Sequence, residues 1–169
     1  RYFKKIGNTL PNNPVILMFD NEIKSGKNKP IGNFINHVKL DDKKRGILED
    51  KYMVNIIDNL YLLTVPLING KPECDIEDLF ENNTISQKIG GKEFCKKDQY
   101  DHSKYYGKEI FSKYILDNYT DINFNSFKSV LTNINNIIEI YSMGLSDTGG
   151  NLEAKGLDKS SEDKFLLEV

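Results

Sequence analysis

The chain has 169 residues, 38% hydrophobic and 28% charged, with a net charge of −2 and a pI near 5.8. That length supports one domain with a packed core and is short for two, and a charge so close to balance excludes a global basic footprint for nucleic acid, so any such contact must come from a local patch. No run approaches the roughly 18 apolar residues of a membrane-spanning helix, and the opening RYFKKIGNTLPNNP lacks the apolar stretch of a signal peptide.

In chain order, PVILMF is a short continuous apolar run with β-branched Val15 and Ile16, which predicts a buried, central, parallel strand. KPIGNFINHVK follows, with Pro30 at a first helical position and Ile31, Phe34, Ile35 and Val38 on one helical face. LDDKKRGILEDK is charge-rich with a glycine and reads as a solvated loop. YMVNII and NLYLLTVPL, parted by little more than Asp58 and Asn59, read as a hairpin whose second arm ends at Pro66. DIEDLFENN looks like a helix start, with Asp75 as its cap and Ile76, Leu79 and Phe80 sharing a face. Gly90 and Gly91 mark a turn.

HSKYYGKEIFSKYILDNY resumes helical spacing through Tyr106, Ile110 and Tyr114 and ends near Asn118. NFNSFKSVLTNINNIIEIYSM places Phe127, Val130, Leu131, Ile134, Ile137, Ile138 and Tyr141 at three- and four-residue steps, a long amphipathic helix. Beyond Met143 the chain is Gly-, Ser- and charge-rich, which predicts a flexible polar tail over 144–169, although the terminal LLEV could dock. The expected organisation is an α/β domain over 1–143: a sheet flanked by helices, then a mainly helical C-terminal half.

Chemistry concentrates where the first apolar run ends, in Asp20 and Glu22. In extended backbone the side-chain period is two, so both carboxylates project to one side, with α-carbons roughly 6 to 7 Å apart and Asn21 turned away. At the end of a buried parallel strand that pair would sit in the crevice where open α/β sheets bind ligands, and oxygen-only ligands suit Mg²⁺ or Mn²⁺. The plainer alternative is an Asx turn at Asp20 and Asn21, with Glu22 a solvated loop charge. Cys74 and Cys95 form no CxxC pair and His37 and His102 stand apart, which argues against zinc or a disulfide framework and fits a cytoplasmic setting. The densest basic stretch, residues 88–104 with Tyr100, Tyr105 and Tyr106 nearby, could contact a nucleic-acid backbone and stack on bases, or be a solvated connection.

NPVILMFDNEIKSG resembles the acid-x-acid strand of the Toprim domain shared by topoisomerases, primases and nucleases of the overcoming-lysogenization-defect type. NLYLLTVPLINGKPECDIEDLF, HSKYYGKEIFSKYI and FNSFKSVLTNINNIIEIYS are similar, in that order, to the C-terminal extension that follows the polymerase in a subset of bacterial retron reverse transcriptases. The resemblance spans residues 12–142. It implies a Toprim-like sheet and metal-dependent cleavage of nucleic-acid phosphodiester bonds, with Asp20 and Glu22 on the acidic pair, which in that family commonly reads Asp-x-Asp. Cys74-Asp75-Ile76-Glu77 falls on a Ser-x-x-Glu pattern, making Glu77 a second metal ligand, with Cys74 in place of the Ser. Lys108 aligns with a lysine that offsets charge on the phosphodiester transition state.

The family also places a catalytic Glu on an earlier strand. Only nineteen residues precede Asp20, and Glu22 is the first Glu, so that residue is expected to lie upstream, consistent with a chain that opens on Arg1 and is a piece of a longer reading frame. No Tyr-x-Asp-Asp turn of a polymerase is present, so the implied partners are DNA or RNA, an upstream reverse transcriptase domain and its RNA–DNA product, and the implied setting is defence against phage. The competing expectation is a non-catalytic Toprim module that docks the polymerase, its product or a partner protein. A receiver-like signalling domain is a third, disfavoured because no second phosphorylatable Asp follows at a strand end.

Overall fold

The computed structural model describes residues 11–25, 28–68 and 70–146. It is an α/β fold in which a three-stranded sheet is sandwiched between helical layers. Strand β1 (Val15–Phe19) pairs in parallel with β3 (Leu60–Thr64), and β2 (Met53–Ile57) pairs antiparallel with β3, giving the order β1-β3-β2. The first apolar run is therefore an edge strand of this sheet, a correction to the central position expected of it. The central place belongs to LYLLT, buried at all five positions, because a strand covered on both faces needs no polar alternation. The β2–β3 hairpin turns at Asp58, whose φ is 46°, and Asn55 Nδ2 donates to the Asp58 carbonyl at 3.0 Å to hold that turn.

Alternation of side chains across the strands divides the core. Leu17, Phe19, Val54 and Leu62 face helices α1 (Pro30–His37) and α2 (Asp42–Lys51), where they meet Ile31, Ile35, Leu40 and Leu48. Ile16, Met53, Tyr61 and Leu63 face the other way, against Val130, Ile137 and Tyr141 of the long helix α5 (Lys128–Ser146). Helix α1 starts at Pro30, where the missing N–H costs nothing, and buries Ile31 and Ile35 as the spacing predicts.

Helix α2 corrects the loop expected for LDDKKRGILEDK. Asp41 caps it by accepting from the Lys44 amide at 2.8 Å, Tyr52 ends it in the left-handed region at φ 60°, and Leu48 is 1% exposed. Burying one leucine is worth about 1.5 to 3 kcal/mol, which together with the cap outweighs a charge-rich composition. The helix expected from Asp75 is only a 3-10 turn, Ile76–Leu79, followed by the four-residue α3 (Asn82–Ile85).

Tyr105–Tyr106 form strand β5, which pairs in parallel with β4 (Glu93–Phe94), so the next helix, α4 (Lys108–Asp117), begins after Tyr106 and not through it. Its buried anchor is Phe111, stacked on Phe94 with centroids 4.3 Å apart, while Ile110 lies outward. Helix α5 presents Val130, Ile137 and Tyr141 to the core but leaves Leu131 and Ile138 exposed, and it runs to Ser146, past the boundary expected at Met143. The tail expected from there lies, from residue 147, outside the described residues.

Candidate functional site

The end of β1 is pinned by backbone before any side chain acts. The Val65 amide donates to the Phe19 carbonyl at 3.1 Å, and Asn21 then exchanges both backbone hydrogen bonds with Cys74, at 2.8 and 3.1 Å. The Asn21 side chain is buried and donates from Nδ2 to the Val65 carbonyl at 2.9 Å. With Asn21 turned inward, Asp20 and Glu22 both line one cleft of about 380 Å³, shared with Pro30 and Ile76.

Asp20 reaches across 56 positions of sequence: its Oδ1 accepts from the Ile76 amide at 3.0 Å, at the first residue of the 3-10 turn. Burial pushes its carboxyl above the ordinary range; the Ile76 amide opposes this, the charges of Asp75 and Glu77 add to it, and Lys108 offsets part. Glu22 is placed differently. It forms a 2.6 Å ion pair with Lys29, and that hydrogen bond holds the Lys29 ammonium above its usual range.

Glu77 projects from the same turn and is 6% exposed. Its Oε1 pairs with Lys108 Nζ at 3.0 Å, whereas Oε2 is buried with no hydrogen-bond partner. Burial of Lys108 pulls its pKa down, but Glu77, Asp20 and Asp75 together carry it upward. Ile76, Glu77 and Lys108 line a second groove of about 400 Å³, which meets the first at Ile76.

The other face of the turn is fully engaged. Asp78 accepts from Lys71 at 2.8 Å, from Lys96 at 2.6 Å and from the Asp75 amide at 2.9 Å. Burial alone would raise its carboxyl, yet these three donors hold it down at about 2. Lys96 also reaches Asp75 at 3.3 Å.

Of the residues singled out from sequence, Asp20, Glu77 and Lys108 thus share one electrostatic cluster, and Glu22 lies beside it with its own lysine. Cys74, matched to the Ser of a Ser-x-x-Glu pattern, is fully buried among Leu63, Val65 and Leu79, and its Sγ accepts from the Ile68 amide at 3.4 Å. The basic stretch is largely spent on local pairs: Lys88 with Glu93, Lys104 with Asp101, Lys96 with the turn, and Tyr106 is buried with its hydroxyl on the Gln87 carbonyl. Sequence reasoning missed Asn21 and the Lys71–Asp78–Lys96 knot. Asn21 carried a local signal, being the one residue between two outward acids; the knot carried none, because its lysines stand seven and eighteen residues from Asp78 with no helical or strand spacing to relate them.

Among the described residues, no group of three or more His, Cys, Asp or Glu side chains is placed to hold one metal ion, and no helix is long and apolar enough to cross a membrane. Compared with protein-family models the chain matches none, and no solved structure matches it.

Proposed function

We propose that the cleft at the end of β1 serves metal-dependent cleavage of nucleic-acid phosphodiester bonds, with Mg²⁺ or Mn²⁺ held by Asp20 and Glu77. One observation carries this reading. Glu77 keeps a carboxylate oxygen buried and unpartnered, and its charge acts on Asp20, the carboxylate whose hydrogen bond comes from an amide and not from a lysine. Burying anionic oxygen without a partner is costly, and a divalent cation offsets that cost. Two carboxylates suit Mg²⁺, which keeps several waters and takes its remaining ligands from substrate phosphates.

Such an ion supplies Lewis acidity to a phosphoryl oxygen and lowers the pKa of a bound water. The chain's own residues do the rest: Asp20, fixed by the Ile76 amide, and Glu77 position the ion, and Lys108 offers a cation to charge developing on the phosphate. Glu22 lines the same cleft and is paired with Lys29, so in this reading it is not a ligand. In this reading the domain is a Toprim-type nuclease effector of a retron reverse transcriptase, acting on DNA or RNA in defence against phage in the cytoplasm.

Calorimetric titration of the chain with Mn²⁺ tests the reading. Asp20→Asn and Glu77→Gln are each expected to weaken binding by at least about tenfold, the loss of one charge-assisted ligand, while Glu22→Gln leaves it unchanged. Wild-type protein that takes up no Mn²⁺ would overturn it. The second reading, a non-catalytic module that docks the polymerase or its RNA–DNA product, is favoured by the lysines already neutralising Glu22 and Glu77; it predicts hybrid or polymerase binding that ignores Asp20→Asn.

A further inference from the structure

We infer that Lys108 is a placeholder: its ammonium, 3.0 Å from Glu77 Oε1, supplies the counter-charge that a divalent cation takes over when it enters at the unpartnered Oε2 and draws in the carboxylate, and the lysine then gives up its contact. The inference rests on the metal reading above and adds a competition to it. Glu77 and Lys108 are unequal partners, the acid side chain 8% exposed and the lysine 47% exposed. The acid is built into the fold through the Ile76–Leu79 turn, whereas the lysine has room to swing out without disturbing the core.

The place of Lys108 on its helix also works against its charge. It is the first residue of α4, where the helix presents the positive end of its dipole and disfavours a cation. What keeps the ammonium over that helix end is the carboxylate of Glu77, with Asp20 and Asp75 adding long-range attraction. A doubly charged ion attracts a carboxylate more strongly than a single ammonium does at the same distance. Once released, Lys108 stays at the α4 N-terminus, where its charge and the free first-turn amides all favour an anion such as a substrate phosphate. Cation entry and phosphate capture are thereby coupled through one side chain.

The test uses the full 169-residue chain, titrated with Mn²⁺ at low and at high salt. Lys108→Met is expected to tighten Mn²⁺ binding about tenfold, the factor to which one charge-assisted hydrogen bond converts. High salt screens long-range repulsion but not competition for one carboxylate, so the gain should persist there; Lys108→Arg, which keeps the pair, should bind as wild type does. Adding Glu77→Gln to Lys108→Met should abolish the gain. In parallel, the side-chain ¹⁵N signal of the Lys108 ammonium should lose its protection from solvent exchange when Mg²⁺ is added. Equal Mn²⁺ affinity in wild type and Lys108→Met, a gain that vanishes at high salt, or an unchanged Lys108 signal at saturating Mg²⁺ overturns the placeholder and leaves the metal reading intact. No binding by the wild type overturns both.

Discussion

Asp78, within the 3-10 turn, and Asp20, which accepts from that turn's first amide, are treated in opposite ways. Asp78 receives two lysines and an amide, and its carboxyl is held down at about 2. Asp20 receives the Ile76 amide alone, and burial among Asp75 and Glu77 pushes its carboxyl up. One group is an electrostatic knot whose charges offset one another; in the other Lys108 pairs with Glu77 and offsets only part of the charge at Asp20. Asp78 has two lysine partners and Asp20 has none in hydrogen-bond contact, a difference that the proposed cation site at Asp20 would account for.

The sharpest way to break this comparison is to loosen the strand end that places Asp20. Asn21→Ala leaves the buried Val65 carbonyl without its side-chain donor, while the two backbone hydrogen bonds to Cys74 remain. A loss of about 1 to 3 kcal/mol is expected, read by urea denaturation, together with loss of Mn²⁺ binding; unchanged stability would mean that the strand end is not held by this residue.

Next comes the knot. Asp78→Asn should cost about 2 kcal/mol near neutral pH, the amount that a carboxyl moved from 3.8 to about 2 represents. Because the folded carboxyl titrates below the unfolded one, that contribution is complete above about pH 4 and disappears as pH falls through about 2. The wild-type and variant stability curves should therefore converge in acid; curves that stay parallel would show that the lysines contribute little.

Asp20→Asn should do the reverse, by a smaller amount. Its folded carboxyl titrates above the unfolded one, so the ionised group destabilises the fold once pH has risen through the folded value. The variant should melt slightly above wild type at pH 7 and no higher than wild type in strong acid, while losing cation binding. Stability gained as function is lost is the signature of a reserved site; a variant that melts lower at pH 7 would place Asp20 with Asp78 as structural. Smallest of all, Glu22→Gln should leave the melting temperature unchanged, because its partner Lys29 is open to solvent.

Much of this arrangement was legible along the chain. The apolar run before Asp20, the Asp58–Asn59 hairpin, the Pro30 helix start and the long α5 periodicity all depend on neighbours within a few residues, where the backbone geometry is local. Helix α2 was hidden because its two anchors, Leu48 and the Asp41 cap, are outnumbered by solvated charges that composition counts equally. The inward turn of Asn21 followed from the period of an extended backbone, but the hydrogen bond that makes it matter runs to Val65.

By itself, then, the sequence determined an α/β domain with two acids at the end of an apolar strand, since side-chain alternation and helical spacing are written in consecutive residues. Only the tertiary structure decided which acids belong together. Glu22, two residues from Asp20, is drawn to Lys29, while Glu77 is brought beside Asp20 by a turn 56 residues away whose Ile76 amide Asp20 itself caps. Charge interactions depend on distance through space and on burial, and neither is a property of position along a chain.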